Sequence, residues 1–245
     1  MVHSYYIEYN RKKILLLLLL IVAIVISGCS HKKDETFYQQ IRELVKSNYI
    51  TVNDEIYEGV EEVYNKNRER IMDFAMKPGN VSKIQNKAVD ELTFNKVYLP
   101  KPDVNYIDEF RNKGNLKTII SDEYYVESLV YDDKGNSVSA FRVNIGNDEY
   151  TLSQGLFIPG RWYETVNDPD RLTMLIADKL KEEEIYEIVI LNVRAYNMYL
   201  VFMDCESGEY GIPFTSREDF LFLINGKLYE IGEIVNSWIN YTGQK

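Results

Sequence analysis

The chain has 245 residues, 45% hydrophobic and 27% charged, which is the balance of a globular protein with a core of its own and excludes a disordered, collagenous or multi-span membrane chain. Two cysteines cannot build a disulfide scaffold, and a formal charge of −10 argues against nucleic acid as a partner.

The N-terminus carries the strongest signal. Arg11, Lys12 and Lys13 precede an unbroken apolar run, Ile14 to Ile26, of thirteen residues. A membrane-spanning helix needs about 20 residues to cross a hydrocarbon core of about 30 Å, so this run is too short to span. It fits the apolar segment of an export signal. Directly after it, Ile26-Ser27-Gly28-Cys29 resembles the lipobox of bacterial lipoproteins. That resemblance covers residues 1–30 only. It implies a signal peptide over 1–28, diacylglycerol on the Cys29 thiol, and a protein tethered on the outer face of the cell membrane. Two acyl chains anchor stably where one is marginal.

Processing before Cys29 would remove Arg11, Lys12, Lys13 and Glu8 and take the net charge from −10 to −12. An anionic membrane surface repels such a domain, so the lipid would have to hold it. Residues 29–36 read as a flexible stalk. The histidines are His3 and His31, one in the signal and one in the stalk. The folded part therefore lacks the means for Ser-His-Asp or Cys-His hydrolysis and for His-ligated zinc or iron. With Cys29 acylated, Cys205 is left without a partner in an apolar run, where a thiol acts as a small hydrophobe.

In chain order, apolar spacing predicts a helix from Asp34 to Ser47 and a second from Glu55 to Met76. A third helix is predicted from Val81 to Leu92, with Val81, Ile84, Ala88 and Leu92 facing inward. Leu99 to Pro102 reads as an extended connector, and Val104 to Lys113 as a short helix closed by Gly114. Strands follow at Thr118–Ser121, Tyr124–Tyr131, Ser137–Asn144 and Glu149–Ile158, with a turn at Asp132–Asn136. That turn has calcium-like composition without the alternating acidic spacing, and reads as a plain turn. Asp168 and Pro169 mark the start of a helix to about Lys181. Strands are predicted at Tyr186–Val193, Tyr196–Cys205 and Tyr210–Phe214, then a hairpin of Phe220–Ile224 and Lys227–Ile231 around Asn225-Gly226. A helix from Glu233 to Tyr241 ends the chain.

The expected class is α+β: a helical N-terminal region, then mostly antiparallel sheet, divided into two small units over 37–165 and 166–245, or forming one unit with a helical N-terminal arm. No phosphate-binding glycine loop, nucleophile elbow or metal-ligand spacing occurs, so no cofactor and no metal is expected. Among 20 tyrosines, the compact aromatic cluster is Arg161-Trp162-Tyr163, which reads either as an exposed binding surface or as a plug between the two units. The functional expectation is a lipid-anchored protein that binds or scaffolds an envelope protein, peptide or glycan without catalysis. The alternative is an envelope hydrolase using carboxylates or a divalent ion. A solute-binding receptor fits less well, because its regular strand–helix alternation is missing.

Overall fold

A computed structural model describes residues 35–76, 83–146, 149–153, 163–180, 183–216 and 218–242. Residues 1–34, where the sequence suggests a signal and a lipobox, and the pair Arg161-Trp162 lie outside them. Among the described residues, no helix is long and apolar enough to cross a membrane.

The architecture is α+β, with two helices ahead of one mixed, mostly antiparallel sheet of nine strands. Helix α1 spans residues 35–46 and buries Ile41 and Val45. Strand β1 (Tyr49–Ile50) follows, then α2 (Tyr57–Met76), whose buried face is Val60, Val63, Tyr64, Ile71 and Ala75. The next strands are β2 (Phe94–Pro100), β3 (Ile120–Tyr131), β4 (Ser137–Ile145) and β5 (Tyr150–Leu152), with α3 (Tyr106–Lys113) between β2 and β3. Helices α4 (Tyr163–Val166) and α5 (Pro169–Lys179) lead into β6 (Ile185–Val193), β7 (Met198–Cys205) and β8 (Gly208–Thr215). Helix α6 (Glu218–Leu221), β9 (Tyr229–Glu230) and α7 (Ile231–Thr242) complete the chain.

The strand order is β5-β4-β3-β2-β6-β7-β8-β9, with β1 paired to β2. The two halves expected as separate units therefore share one sheet, joined where β2 runs parallel to β6 at Tyr98 and Leu191. Each half still gathers its own apolar cluster. One packs α2 against Phe94, Val126, Phe141 and Val143. The other packs Trp238 of α7 against Leu191, Leu200 and Phe202, with Tyr196 stacked on the indole at 4.8 Å. Paired residues share a face, and the register Tyr124–Tyr98–Leu191–Leu200 places both clusters on one face. The opposite face carries Tyr125, Glu127, Arg142, Asn192 and Tyr199, covered by α4 through Tyr163, whose ring meets Tyr199 at 4.9 Å.

At the join, β1 and β6 flank different ends of β2, and Asn48 fills the fork. Its backbone carbonyl accepts from Lys96 N at 2.7 Å, and its side-chain amide donates to Ile188 O at 2.8 Å. One buried asparagine thus stands in for the ladder bonds that β2 and β6 do not make with each other there.

Local chemistry sets several ends as expected. Asp168 caps α5 through Asp170 N and Arg171 N, with Pro169 in the first turn. Gly114 ends α3 at φ +75, a left-handed conformation that costs glycine nothing.

Two expectations are overturned. The described part of the third helix, from Lys83 onward, is extended apart from a single 3-10 turn at Val89–Glu91. Its backbone is taken by long-range partners: Gln85 N donates to Tyr131 O, Lys83 O accepts from Asp133 N, and Lys87 O accepts from Tyr64 and Arg68. The Asn225-Gly226 hairpin does not form either. Asn225 spends its side chain on β8, accepting from Thr215 N at 2.6 Å and donating to Thr215 O at 2.9 Å, so β9 pairs with β8.

Candidate functional site

The face of the sheet beneath α4 holds the densest chemistry. Glu127 on β3 sits directly opposite Arg142 on β4 and Asn95 on β2. Alternation along these strands turns all three toward the same side. Glu127 Oε2 accepts from Arg142 Nε at 2.8 Å and from the Tyr199 hydroxyl at 2.8 Å. Arg142 Nη2 also donates to the Tyr199 oxygen at 2.7 Å. The Tyr125 and Tyr199 hydroxyls lie 2.8 Å apart, and Asn192 Nδ2 donates to Tyr125 at 2.7 Å.

Counting protons fixes the direction of each bond. Tyr199 spends its one hydrogen on the Glu127 carboxylate and so accepts from Tyr125, which in turn accepts from Asn192 Nδ2. Arg142 donates to both Glu127 and Tyr199. The arrangement converges on one carboxylate oxygen, which is what an ionised glutamate requires away from water. Burial pushes the Glu127 carboxyl above its ordinary range, while Arg142, Tyr199 and the nearby Asn167 amide hold it back. Burial also drives Tyr125, Tyr163 and Tyr199 well up, so all three stay protonated donors. The guanidinium carbon lies 4.9 Å from the Tyr125 ring centre, adding a cation–π contact to the charge.

Asn95, wholly buried beside Glu127, has no hydrogen-bond partner for its amide among the described residues, and the same holds for Glu127 Oε1 and Asn167 Oδ1. The network spans β3, β4, β6 and β7 and crosses the join between the two halves. Chemically it can lock the halves in register. Among the described residues, the leading influences on Glu127 are burial, Arg142, Tyr199 and Asn167, with no second carboxylate among them.

Outside this network, a groove of about 420 Å³ runs between α2 and β5, lined by Glu62, Lys66, Asn67, Arg70 and Glu149. Lys117 forms a smaller surface cluster, 2.7 Å from Asp204 and 3.0 Å from Glu187, and these bonds raise its pKa. Among the described residues, no group of three acidic, His or Cys side chains is arranged to hold a metal ion.

Of the sequence candidates, Tyr163 is buried against Tyr199 and offers no exposed contact area, while its neighbours Arg161 and Trp162 lie outside the described residues. Ile26, Ser27, Gly28 and Cys29 also lie outside them. Asp132 accepts from Lys134 N, Asn136 N and the Asn136 amide, so its carboxylate is occupied by its own turn. Cys205 is free and buried, and burial pushes its thiol up to about 12, with Glu183 and Asp204 adding to the shift.

Sequence reasoning missed Glu127 and Arg142. Their one local sign was a charged residue inside each of the mostly apolar stretches Tyr124–Tyr131 and Ala140–Val143. No family model, no curated protein and no solved structure matches the chain.

Proposed function

We propose that this chain is a lipid-anchored extracytoplasmic protein with a non-catalytic binding or scaffolding role at the bacterial cell envelope. The observation that carries the reading is Cys29 behind Ile26-Ser27-Gly28, at the end of an apolar run too short to span a bilayer. The buried network supports a structural role, since its charges and hydroxyls are turned on each other. The hydrolase reading would draw on Glu127, whose leading influences among the described residues include no second carboxylate.

Replacing Cys29 with Ala tests the anchor directly. In cells fed an alkyne-labelled fatty acid, the parent chain should take up label, shorten and sediment with membranes. The Cys29→Ala chain should carry no label and keep its precursor length. Unchanged processing and membrane retention in that variant would overturn the reading.

A further inference from the structure

The segment between α6 and β9 turns two large apolar side chains outward from a rigid frame. Leu221 and Leu223 are buried, whereas Phe222 is 72% exposed and Ile224 60% exposed. The other large exposed hydrophobics among the described residues, Val52, Met76, Met174 and Tyr186, are scattered along the chain. Phe222 has φ +54, a left-handed backbone that a bulky residue seldom enters. Leaving its ring in water also forgoes the burial of a large apolar surface.

The frame that enforces this is well bonded. Ser237 Oγ donates to Leu221 O at 2.7 Å, and Ile224 N donates to the Tyr229 hydroxyl at 3.0 Å. Asn225 is clamped to Thr215 at 2.6 and 2.9 Å and donates its own N–H to Glu218 Oε1 at 2.6 Å. Gly226 N reaches Pro213 O at 3.1 Å. A strained residue held by so many bonds, with its side chain aimed at solvent, calls for an apolar medium outside the protein.

We propose that Phe222 and Ile224 are a prong that enters the bilayer to which the chain is tethered. The proposal rests on the lipid-anchor reading, and the chain outside the fold supplies the occupant. Between Cys29 and residue 35 lie only residues 30–34. At about 3.3–3.6 Å per residue they reach roughly 20 Å at most. The tethered fold therefore rests beside the membrane surface. A net charge of −12 works against electrostatic adhesion to anionic lipid and favours apolar orienting contacts. Two side chains entering the boundary between headgroups and acyl chains would orient the domain, with the lipid supplying the affinity.

The test uses the full lipidated chain in phosphatidylcholine–phosphatidylglycerol vesicles, with Phe222→Trp and Ile224→Trp introduced one at a time. Parent emission from Trp162 and Trp238 is subtracted. The added indole should be blue-shifted and quenched about two-fold by brominated acyl chains, independently of salt. Vesicles should also shield it from aqueous iodide. A chain that floats with the vesicles while both new indoles stay fully open to iodide overturns the prong and leaves the anchor standing. A chain that does not float overturns both. Phe222→Ser/Ile224→Ser supplies the control: it should still float, with the amides of 222–224 exchanging on vesicles as fast as in solution. Equal protection of these amides in parent and double variant would also count against insertion.

Discussion

Tyr125 and Asn192 belong to opposite halves of the sheet, and the Asn192 amide donates to the Tyr125 hydroxyl at 2.7 Å across the join. This bond matters because the ladder between β2 and β6 has a single register pair, Tyr98 with Leu191. Side chains supply the cohesion that main-chain bonding leaves incomplete.

Tyr125→Phe should therefore cost more than an ordinary surface change. It strands the Asn192 donor and takes a donor from Tyr199, a loss of about 1–3 kcal/mol in urea unfolding. A double-mutant cycle with Asn192→Leu should show coupling above about 0.5 kcal/mol. Simple additivity would mean that the bond contributes nothing.

Glu127→Gln mimics the protonated carboxyl, so its stability should match the parent's at low pH and overtake it as pH rises through the raised Glu127 range. The pH dependence has a defined sign. Burial raises the folded Glu127 carboxyl above its unfolded value, so its titration contributes stability below the ordinary glutamate range. That contribution is lost as pH rises through the raised value. Subtracting the Glu127→Gln stability curve from the parent curve should leave a downward slope over that window, and an upward slope would contradict the assignment.

Gly59 in α2 lies under the Tyr150 ring of β5, where an added Cβ would come within 2.5 Å of ring carbon. Alanine improves helix propensity by about 1 kcal/mol, but overpacking costs about 1–3 kcal/mol. Gly59→Ala should thus destabilise the parent and turn stabilising in a Tyr150→Ala background. Thermal unfolding of the four proteins reads that change of sign.

Asn48→Ala removes the amide bonds to Ile188 O and Leu44 O at the fork while leaving the main-chain bond to Lys96 intact. A loss of about 1–2 kcal/mol is expected. Hydrogen exchange should quicken first at the adjoining ends of β2 and β6. Faster exchange spread evenly over the sheet would argue against a local wedge.

Cys205 should resist thiol reagents in the native protein, because burial keeps it protonated with a pKa of about 12. Ellman's reagent should react slowly until denaturant is added, and rapid native labelling would contradict this burial.

Much of the fold is written in short-range chemistry. Asp168-Pro169 starts α5 and Gly114 ends α3 because caps depend on neighbours two to four residues away. The turn at Asp132 closes on Asn136 for the same reason. Strand β2 was not legible: Asn95 and Lys96 interrupt its apolar pattern and Pro100 reads as connector, although it is the central strand of the sheet. Asn225-Gly226 misled because its side chain bonds to β8, ten residues away in sequence, instead of closing a hairpin on itself.

The sequence by itself determined the reading of the N-terminal address, the α+β class and most element ends, since each depends on local spacing, charge and backbone preference. Tertiary structure decided that the two halves share one sheet, that Glu127 faces Arg142, and that Tyr163 points inward. Strand pairing sets those contacts. Its register is chosen by burial over the whole molecule, which no window of neighbouring residues contains.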